Sequence, residues 1–292
     1  MNLLEQEVAS QLPETSFTRR GFVMTALGSG FAAAVMPVSA QTITTDAYGL
    51  EAGEVKIPVT DGQIPAYRAQ PAGKKNLPTI VVTHEIFGVH EHIKDLCRRL
   101  AKQGYLAVAP ELYARQGDPS KYPTVAELIQ NVVSKVPDAQ VASDLDATVA
   151  WAATHNGNAD KVGATGFCWG GRQTWLFAEH SSAIKAAVAW YGPLTGRPTA
   201  LQPKMPVDGV AQLKAPVLGL YGGKDQGITA EAREQMNAAL KSAPAVAADS
   251  KIVVYPDAPH GFNADYRSSY VEADAEDGWS RMLAFFKAHG VA

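Results

Sequence analysis

A Gly-x-Cys-x-Gly motif constrains the possible folds of this chain more than any other feature. In Gly166-Phe167-Cys168-Trp169-Gly170-Gly171, Cys168 has glycines two positions before and two positions after it, between a strand-like run and a helical pattern. A sharp strand-to-helix turn holds its central residue at positive φ and leaves no room for side chains two residues away. The motif therefore predicts that Cys168 is a nucleophile on such a turn. The alternative is a glycine-rich turn around a buried cysteine.

Short apolar runs alternate with longer amphipathic segments along the rest of the chain. The predicted strands are residues 54–59, 66–69, 79–83, 105–109, 162–165, 185–190, 216–221 and 251–255. The predicted helices are residues 92–103, 139–155, 171–180, 230–241 and 271–288, and residues 192–213 are predicted to be an irregular surface segment. Alternating strands and helices indicate an α/β fold, in which a mostly parallel sheet carries helices on both faces. One domain over residues 41–292 accounts for the pattern, with Asp138 as the N-cap of the second helix.

A thiol nucleophile needs a base and a group that orients the base. Asp225 follows one predicted strand in Gly222-Gly223-Lys224-Asp225, and His260 follows the last one in Ala258-Pro259-His260-Gly261-Phe262. Taken alone, the first could be a turn-forming aspartate and the second a solvated histidine. Their order after the cysteine, each just beyond a strand, favours a Cys-Asp-His triad.

Composition narrows the possible partners and cofactors. The formal net charge is −3, with acids and bases interspersed, which gives no basic surface for nucleic acid. The His, Asp and Glu residues outside the triad show no metal-ligand spacing, so we expect neither a metal nor an organic cofactor. Of the two cysteines, Cys97 lies in a helical pattern and is predicted to be a buried structural thiol, although an exported protein could pair it with Cys168.

The first 40 residues have the character of an export signal. Arg19 and Arg20 precede an apolar stretch that ends in the small residues Val38-Ser39-Ala40. The segment Thr18-Arg19-Arg20-Gly21-Phe22 resembles the twin-arginine motif, which a translocase reads. We therefore expect cleavage near Ala40, a periplasmic or otherwise exported protein, and no stable membrane association afterwards. The alternatives are an uncleaved anchor and a disordered tail.

The chain resembles the dienelactone hydrolases, or carboxymethylenebutenolidases, over most of its predicted mature length. The motifs that carry the resemblance are His84-Glu85-Ile86-Phe87-Gly88-Val89, Pro110-Glu111-Leu112-Tyr113-Ala114-Arg115-Gln116, the Cys168 turn, Gly223-Lys224-Asp225 and His260-Gly261-Phe262. The resemblance implies the α/β-hydrolase fold and cleavage of a small lactone or ester through a thioester on Cys168. It also implies that Glu85 contacts the nucleophile at rest and helps to generate the thiolate when substrate arrives.

The resemblance assigns further roles and also shows departures from the family pattern. It implies an oxyanion hole formed by the backbone N–H groups of Ile86 and Trp169, and a substrate carboxylate bound by Arg115. The family member that acts on dienelactone has a serine directly after the histidine and an arginine four residues after it. This chain has Gly261 and Ala264 there. Whether Arg267 replaces the missing arginine stays open.

Rival functions use the same residues. A general esterase, a thioesterase or an acyltransferase could use the same triad, and an inactive binding protein is the rival from another class. We expect a monomer that binds a small ester or lactone, with the translocase as a partner during export. His84 is predicted to be structural. Trp169, Trp190 and Tyr191 could line the pocket, although core packing accounts equally well for Trp190.

Overall fold

A computed structural model describes residues 43–292 of the chain. The predicted export signal and its cleavage site near Ala40 lie outside the described residues and stay predictions. Within the described range, no helix combines the length and the apolar character needed to cross a membrane.

Eight strands form one sheet in the order β1-β2-β4-β3-β5-β6-β7-β8. Strands β1 and β2 pair antiparallel, as do β2 and β4, and every other neighbouring pair is parallel. The strands are β1 Leu50–Val59, β2 Gly62–Pro71, β3 Leu77–Thr83, β4 Leu106–Pro110, β5 Gly157–Phe167, β6 Ala186–Trp190, β7 Val217–Gly222 and β8 Lys251–Tyr255. Since β3 and β5 to β8 run parallel, their carboxyl ends meet at one edge of the sheet, where ligands bind in this kind of fold.

Helices follow most of the strands. They are α1 Glu91–Lys102, α2 Val125–Asn131, α3 Asp138–Thr154, α4 Trp169–His180, α5 Pro206–Gly209, α6 Ala230–Leu240 and α7 Glu272–Ala288. Short 3₁₀ turns occupy Pro119–Lys121, Val133–Lys135, Val210–Gln212 and Ala245–Ala247.

Alternate residues of β4 show that both faces of the sheet are covered. Leu106 and Val108 pack with Trp151 of α3 in one apolar cluster, whereas Ala107 and Ala109 belong to the larger cluster that contains residues of α1. Successive side chains of a strand point to opposite faces, so the two clusters lie on opposite sides of the sheet. The predicted fold class is therefore confirmed.

Two local predictions differ from the structure. Asp138 is the first residue of α3 and Pro137 is its N-cap, so the predicted N-cap was wrong. The Asp138 carboxylate instead accepts hydrogen bonds at 2.7 and 2.8 Å from the fully buried Arg172, a stronger interaction than a cap to backbone N–H groups. The segment 192–213 is also less irregular than predicted, because it contains α5 and a 3₁₀ turn.

Candidate active site

Cys168 occupies the strained turn that the sequence predicted. It joins β5 to α4 with φ of +57° and ψ of −124°, a conformation that non-glycine residues rarely adopt. Its backbone N–H donates to Trp190 O at 3.0 Å, and its carbonyl accepts from the N–H groups of Gly171 and Arg172. These bonds fix the turn from both sides. The side chain is buried, and neither Cys168 nor the equally buried Cys97 forms a disulfide.

The glycines of the motif are required by close contact between this turn and the end of β3. A Cβ on Gly166 would lie 1.8 Å from Thr83 Oγ1, and one on Gly170 would lie 2.4 Å from the carbonyl oxygens of Thr83 and His84. Thr83 Oγ1 also donates to Gly170 O at 2.7 Å. The Cys168 turn is therefore packed directly against the segment that contains Glu85.

Asp225 and His260 form the acid–histidine pair that their order in the chain predicted. His260 Nδ1 lies 2.7 Å from Asp225 Oδ2, and both side chains are almost fully buried. The other oxygen, Asp225 Oδ1, accepts from the backbone N–H groups of Gly227 at 2.9 Å and Ile228 at 3.1 Å. Within the described residues, His260 Nε2 is buried without a hydrogen-bond partner. An imidazole oriented in this way can exchange a proton through Nε2.

Glu85 lies just beyond β3 and is buried. Its Oε2 accepts from the Tyr266 hydroxyl at 2.7 Å and lies 3.2 Å from His90 Nε2. Burial would raise the pKa of Glu85, but the hydrogen bond from His90 and nearby positive charge that includes Arg267 outweigh it and hold the pKa below its usual range. Glu85 is therefore an anion at neutral pH.

Aromatic rings surround the candidate nucleophile and base. Tyr191 follows β6 with φ of +37°, and its ring packs edge-on against His260 with centroids 5.0 Å apart. Trp169 packs against His84 and Tyr113, while Trp190 stacks on Phe167 inside the core. Cys168, Glu85 and His260 are each at most 2% exposed, so the candidate nucleophile and base are shielded from bulk solvent.

The contacts of His84 fit the structural role predicted for it, which stays a prediction. Its Nδ1 bonds to Glu85 O at 2.7 Å, and its Nε2 accepts the N–H of Leu112 at 3.0 Å. Nε2 also lies 3.3 Å from Glu111 Oε1, so His84 connects the turn after β3 to the turn after β4.

The two predicted oxyanion donors are backbone groups at helix and strand ends. Trp169 is the first residue of α4, and the first N–H groups of a helix have no acceptor inside it. Ile86 is buried in the turn after β3, two residues before Gly88 at φ of +72°. Trp169 is next to Cys168 in the chain. Ile86 lies in the segment after Thr83, whose hydroxyl donates to Gly170 O in the Cys168 turn.

Arg115 forms ion pairs with two aspartates. Its guanidinium donates to Asp61 at 2.6 and 2.5 Å and to Asp144 at 2.7 and 3.1 Å. Asp144 is buried on α3, whereas Asp61 is exposed in the turn between β1 and β2. A substrate carboxylate would have to compete with both aspartates, so the predicted substrate-binding role of Arg115 stays a prediction.

We expect Arg115→Gln to affect stability more than selectivity. The change leaves Asp144 buried without its cation, which should lower the free energy of unfolding by about 2 kcal/mol or more. Kinetics with a carboxylate-bearing lactone and with its methyl ester should change by the same factor. Urea denaturation and the two kcat/KM values measure both effects. Arg281→Gln, which removes an exposed ion pair with Asp277, is the control. A loss confined to the acid would instead support carboxylate binding by Arg115.

Arg267, left open by the sequence, lies close to the candidate site. A Cβ on Gly261, next to His260, would come within 3.0 Å of Arg267 Nη1. Burial disfavours the guanidinium cation, but the negative charge of groups that include Glu85 and Cys168 raises its pKa on balance. Ala264, where the dienelactone enzyme has its arginine, is buried and brings no charge.

Sequence reasoning missed Tyr266 and His90, the two donors to Glu85. His90 is the N-cap of α1, and Tyr266 lies in the segment after His260. His90 stands five residues after Glu85, directly after the His84–Val89 motif, which was a usable signal, but Tyr266 reaches the site only through the tertiary fold. Among residues 43–292, no cluster of His, Cys, Asp and Glu could hold a metal ion.

One protein family and several relatives match most of this chain. The model of the dienelactone hydrolase family matches residues 64–290. A Methylorubrum extorquens protein named "Putative carboxymethylenebutenolidase" is 56% identical over 294 residues, covering 100% of both chains. Its namesake in Escherichia coli K12 is 52% identical over 263 residues, covering 90% of this chain and 96% of its own. A Klebsiella pneumoniae crystal structure titled "Putative Dienelactone Hydrolase" is 56% identical with a TM-score of 0.79, covering 82% of this chain and 98% of its own. These similarities confirm the α/β-hydrolase fold.

Proposed function

Because this chain belongs to the dienelactone hydrolase family, a family of carboxymethylenebutenolidase-like hydrolases, we propose that it opens a small lactone or ester through a thioester on Cys168. The family reaction, carboxymethylenebutenolide to maleylacetate, is the model for this chemistry. The observation that carries the proposal is the buried Asp225–His260 pair at the edge of the sheet where the strained Cys168 turn ends β5.

The proposed acylation begins with proton transfer from the Cys168 thiol to Glu85. The thiolate attacks the acyl carbonyl, and the N–H groups of Ile86 and Trp169 stabilise the oxyanion. When the tetrahedral intermediate collapses, the carbon–oxygen bond of the lactone breaks, and the released oxygen takes the proton from Glu85, which returns to the carboxylate. The acyl group is then a thioester on Cys168.

Deacylation uses the histidine pair. His260 Nε2 takes a proton from water, and the resulting hydroxide attacks the thioester carbonyl. The carbon–sulfur bond breaks, His260 returns its proton to the sulfur of Cys168, and the product acid leaves as a carboxylate after losing its proton to water. Asp225 holds the proton on Nδ1 and stabilises the imidazolium that forms in this step. In this scheme each residue lies where a parallel strand ends, so the sheet sets the relative positions of all the groups.

The charged groups near the site bear on the charge of the substrate. Arg115 is occupied by two aspartates, and Ala264 stands where the dienelactone enzyme has an arginine. Arg267 is a cation near the nucleophile, but the Glu85 anion is also near it. The positive charge of Arg267 and the negative charge of Glu85 therefore offset each other near the nucleophile, so a carboxylate on the lactone gains little net attraction. Neutral lactones and esters fit the same geometry.

Trapping the acyl-enzyme tests the proposal directly. Wild-type protein mixed with an activated ester and quenched in acid within milliseconds should gain the mass of one acyl group, and peptide mapping should place it on Cys168. Added thiol should not divert the product if the enzyme is a hydrolase, whereas diversion would favour the acyltransferase alternative. Turnover without any covalent adduct, or an adduct on another residue, would contradict the proposed nucleophile.

A further inference from the structure

The Glu85 carboxylate is bound unevenly. Oε2 is held by the Tyr266 hydroxyl at 2.7 Å and by His90 Nε2 at 3.2 Å, whereas Oε1 is buried and accepts no hydrogen bond from the described residues. Two donors on one oxygen fix the plane of the carboxylate. Oε1 is then the oxygen that can take up a proton.

Both neighbours of Oε2 are neutral donors. Burial and the charge of Glu85 raise the pKa of Tyr266 well above its usual value, so its hydroxyl keeps its proton and donates it to the carboxylate. Burial lowers the pKa of His90 more than Glu85 raises it, so His90 donates Nε2–H as a neutral imidazole. Hydrogen bonds of this kind favour the carboxylate anion over the protonated acid.

The donors come from different parts of the chain and are locked together by ring packing. Tyr266 packs against His90 with ring centroids 5.2 Å apart and against His92 at 5.0 Å. His92 in turn lies 3.6 Å from Asp265, the neighbour of Tyr266 in the chain. The start of α1 and the segment after His260 are therefore fastened to each other around Glu85.

We infer that Tyr266 and His90 are positioning residues that restrain the basicity of Glu85 and so keep Cys168 a thiol until substrate arrives. The inference rests on the proposed role of Glu85 as the acceptor of the Cys168 proton. In that transfer the S–H bond breaks, an O–H bond forms on Oε1, and a thiolate faces a neutral carboxylic acid. Donors on Oε2 stabilise the state before the transfer, so removing one shifts the equilibrium towards the thiolate.

Alkylation of the resting enzyme by iodoacetamide at neutral pH measures this equilibrium, because the thiolate is the reacting form. We expect Tyr266→Phe to raise the alkylation rate of Cys168 about tenfold or more, the effect of one hydrogen bond to a charged group. His90→Phe should act in the same direction, and His90→Gln, which keeps an N–H donor, should restore a rate near that of the wild type. Tyr270→Phe removes a hydroxyl from the same segment and should leave the rate unchanged.

A double mutant separates this role from general loosening of the site. In the Glu85→Gln background there is no carboxylate to restrain, so adding Tyr266→Phe should have no further effect on the rate. An increase that persists in that background, alkylation that spreads to Cys97, or a Tyr266→Phe rate equal to the wild type would overturn the inference. The function itself is tested separately, since Cys168→Ala must be inactive whatever Tyr266 does.

Discussion

Cys168→Ala should lower kcat/KM for lactone and ester hydrolysis by about 10⁴-fold or more while the protein stays folded. The thiol provides the only protein atom in the proposed cycle that bonds to the acyl carbon, so its loss removes the acylation step. Alanine has a Cβ like cysteine and can occupy the same backbone conformation. The fold should therefore survive, because the hydrogen bonds that fix this turn are made by the backbone.

The matched control is Cys97→Ala on α1. Cys97 is as buried as Cys168, and burial raises the pKa of its thiol, so it is inert. We expect Cys97→Ala to keep wild-type kinetics with a modest loss of packing energy. Steady-state kinetics on an activated ester, with circular dichroism and thermal melts of both variants, give the comparison. Residual turnover above about one hundredth of the wild-type value in Cys168→Ala would rule out the cysteine as nucleophile.

Local sequence rules were sufficient to predict the framework of the site. The six-residue motif around Cys168 predicts that side chains have no room at the two glycine positions. The structure shows the reason, because a Cβ at either position would collide with Thr83. Asp225 and His260 could be found because strand ends can be read from apolar runs, and parallel strands bring their ends to one edge. In each case a short segment contains the signal, so no knowledge of distant packing was needed.

Side-chain partners across the fold could not be predicted in this way. Tyr266 is 181 residues from Glu85, and nothing near either residue in the sequence indicates that they bond. The partners of Arg115 were not predicted either: the resemblance implied that it binds a substrate carboxylate, but the packing of α3 places Asp144 against it. The turn between the antiparallel strands β1 and β2 places Asp61 against the same guanidinium. Such contacts depend on how whole elements meet, which a local pattern does not specify.

The largest effect after loss of the nucleophile is expected for Asp225→Asn. Asp225 Oδ1 accepts two backbone N–H groups, and these will hold the amide oxygen of the asparagine in the same place. The amide NH₂ must then face His260 Nδ1, where the carboxylate oxygen was. An NH₂ group can only donate, so Nδ1 becomes the acceptor and the ring proton moves to Nε2.

In that tautomer Nε2 cannot accept a proton from water, so deacylation should slow by about 10⁴-fold, the cost known for this substitution in a serine triad. The acyl group should accumulate on Cys168, and intact mass measured during turnover would detect it. Asp257→Asn is the control, because this exposed aspartate pairs with Lys224 at the surface. If Asp225→Asn lost less than tenfold in kcat and no acyl-enzyme accumulated, Asp225 would not be the residue that orients His260.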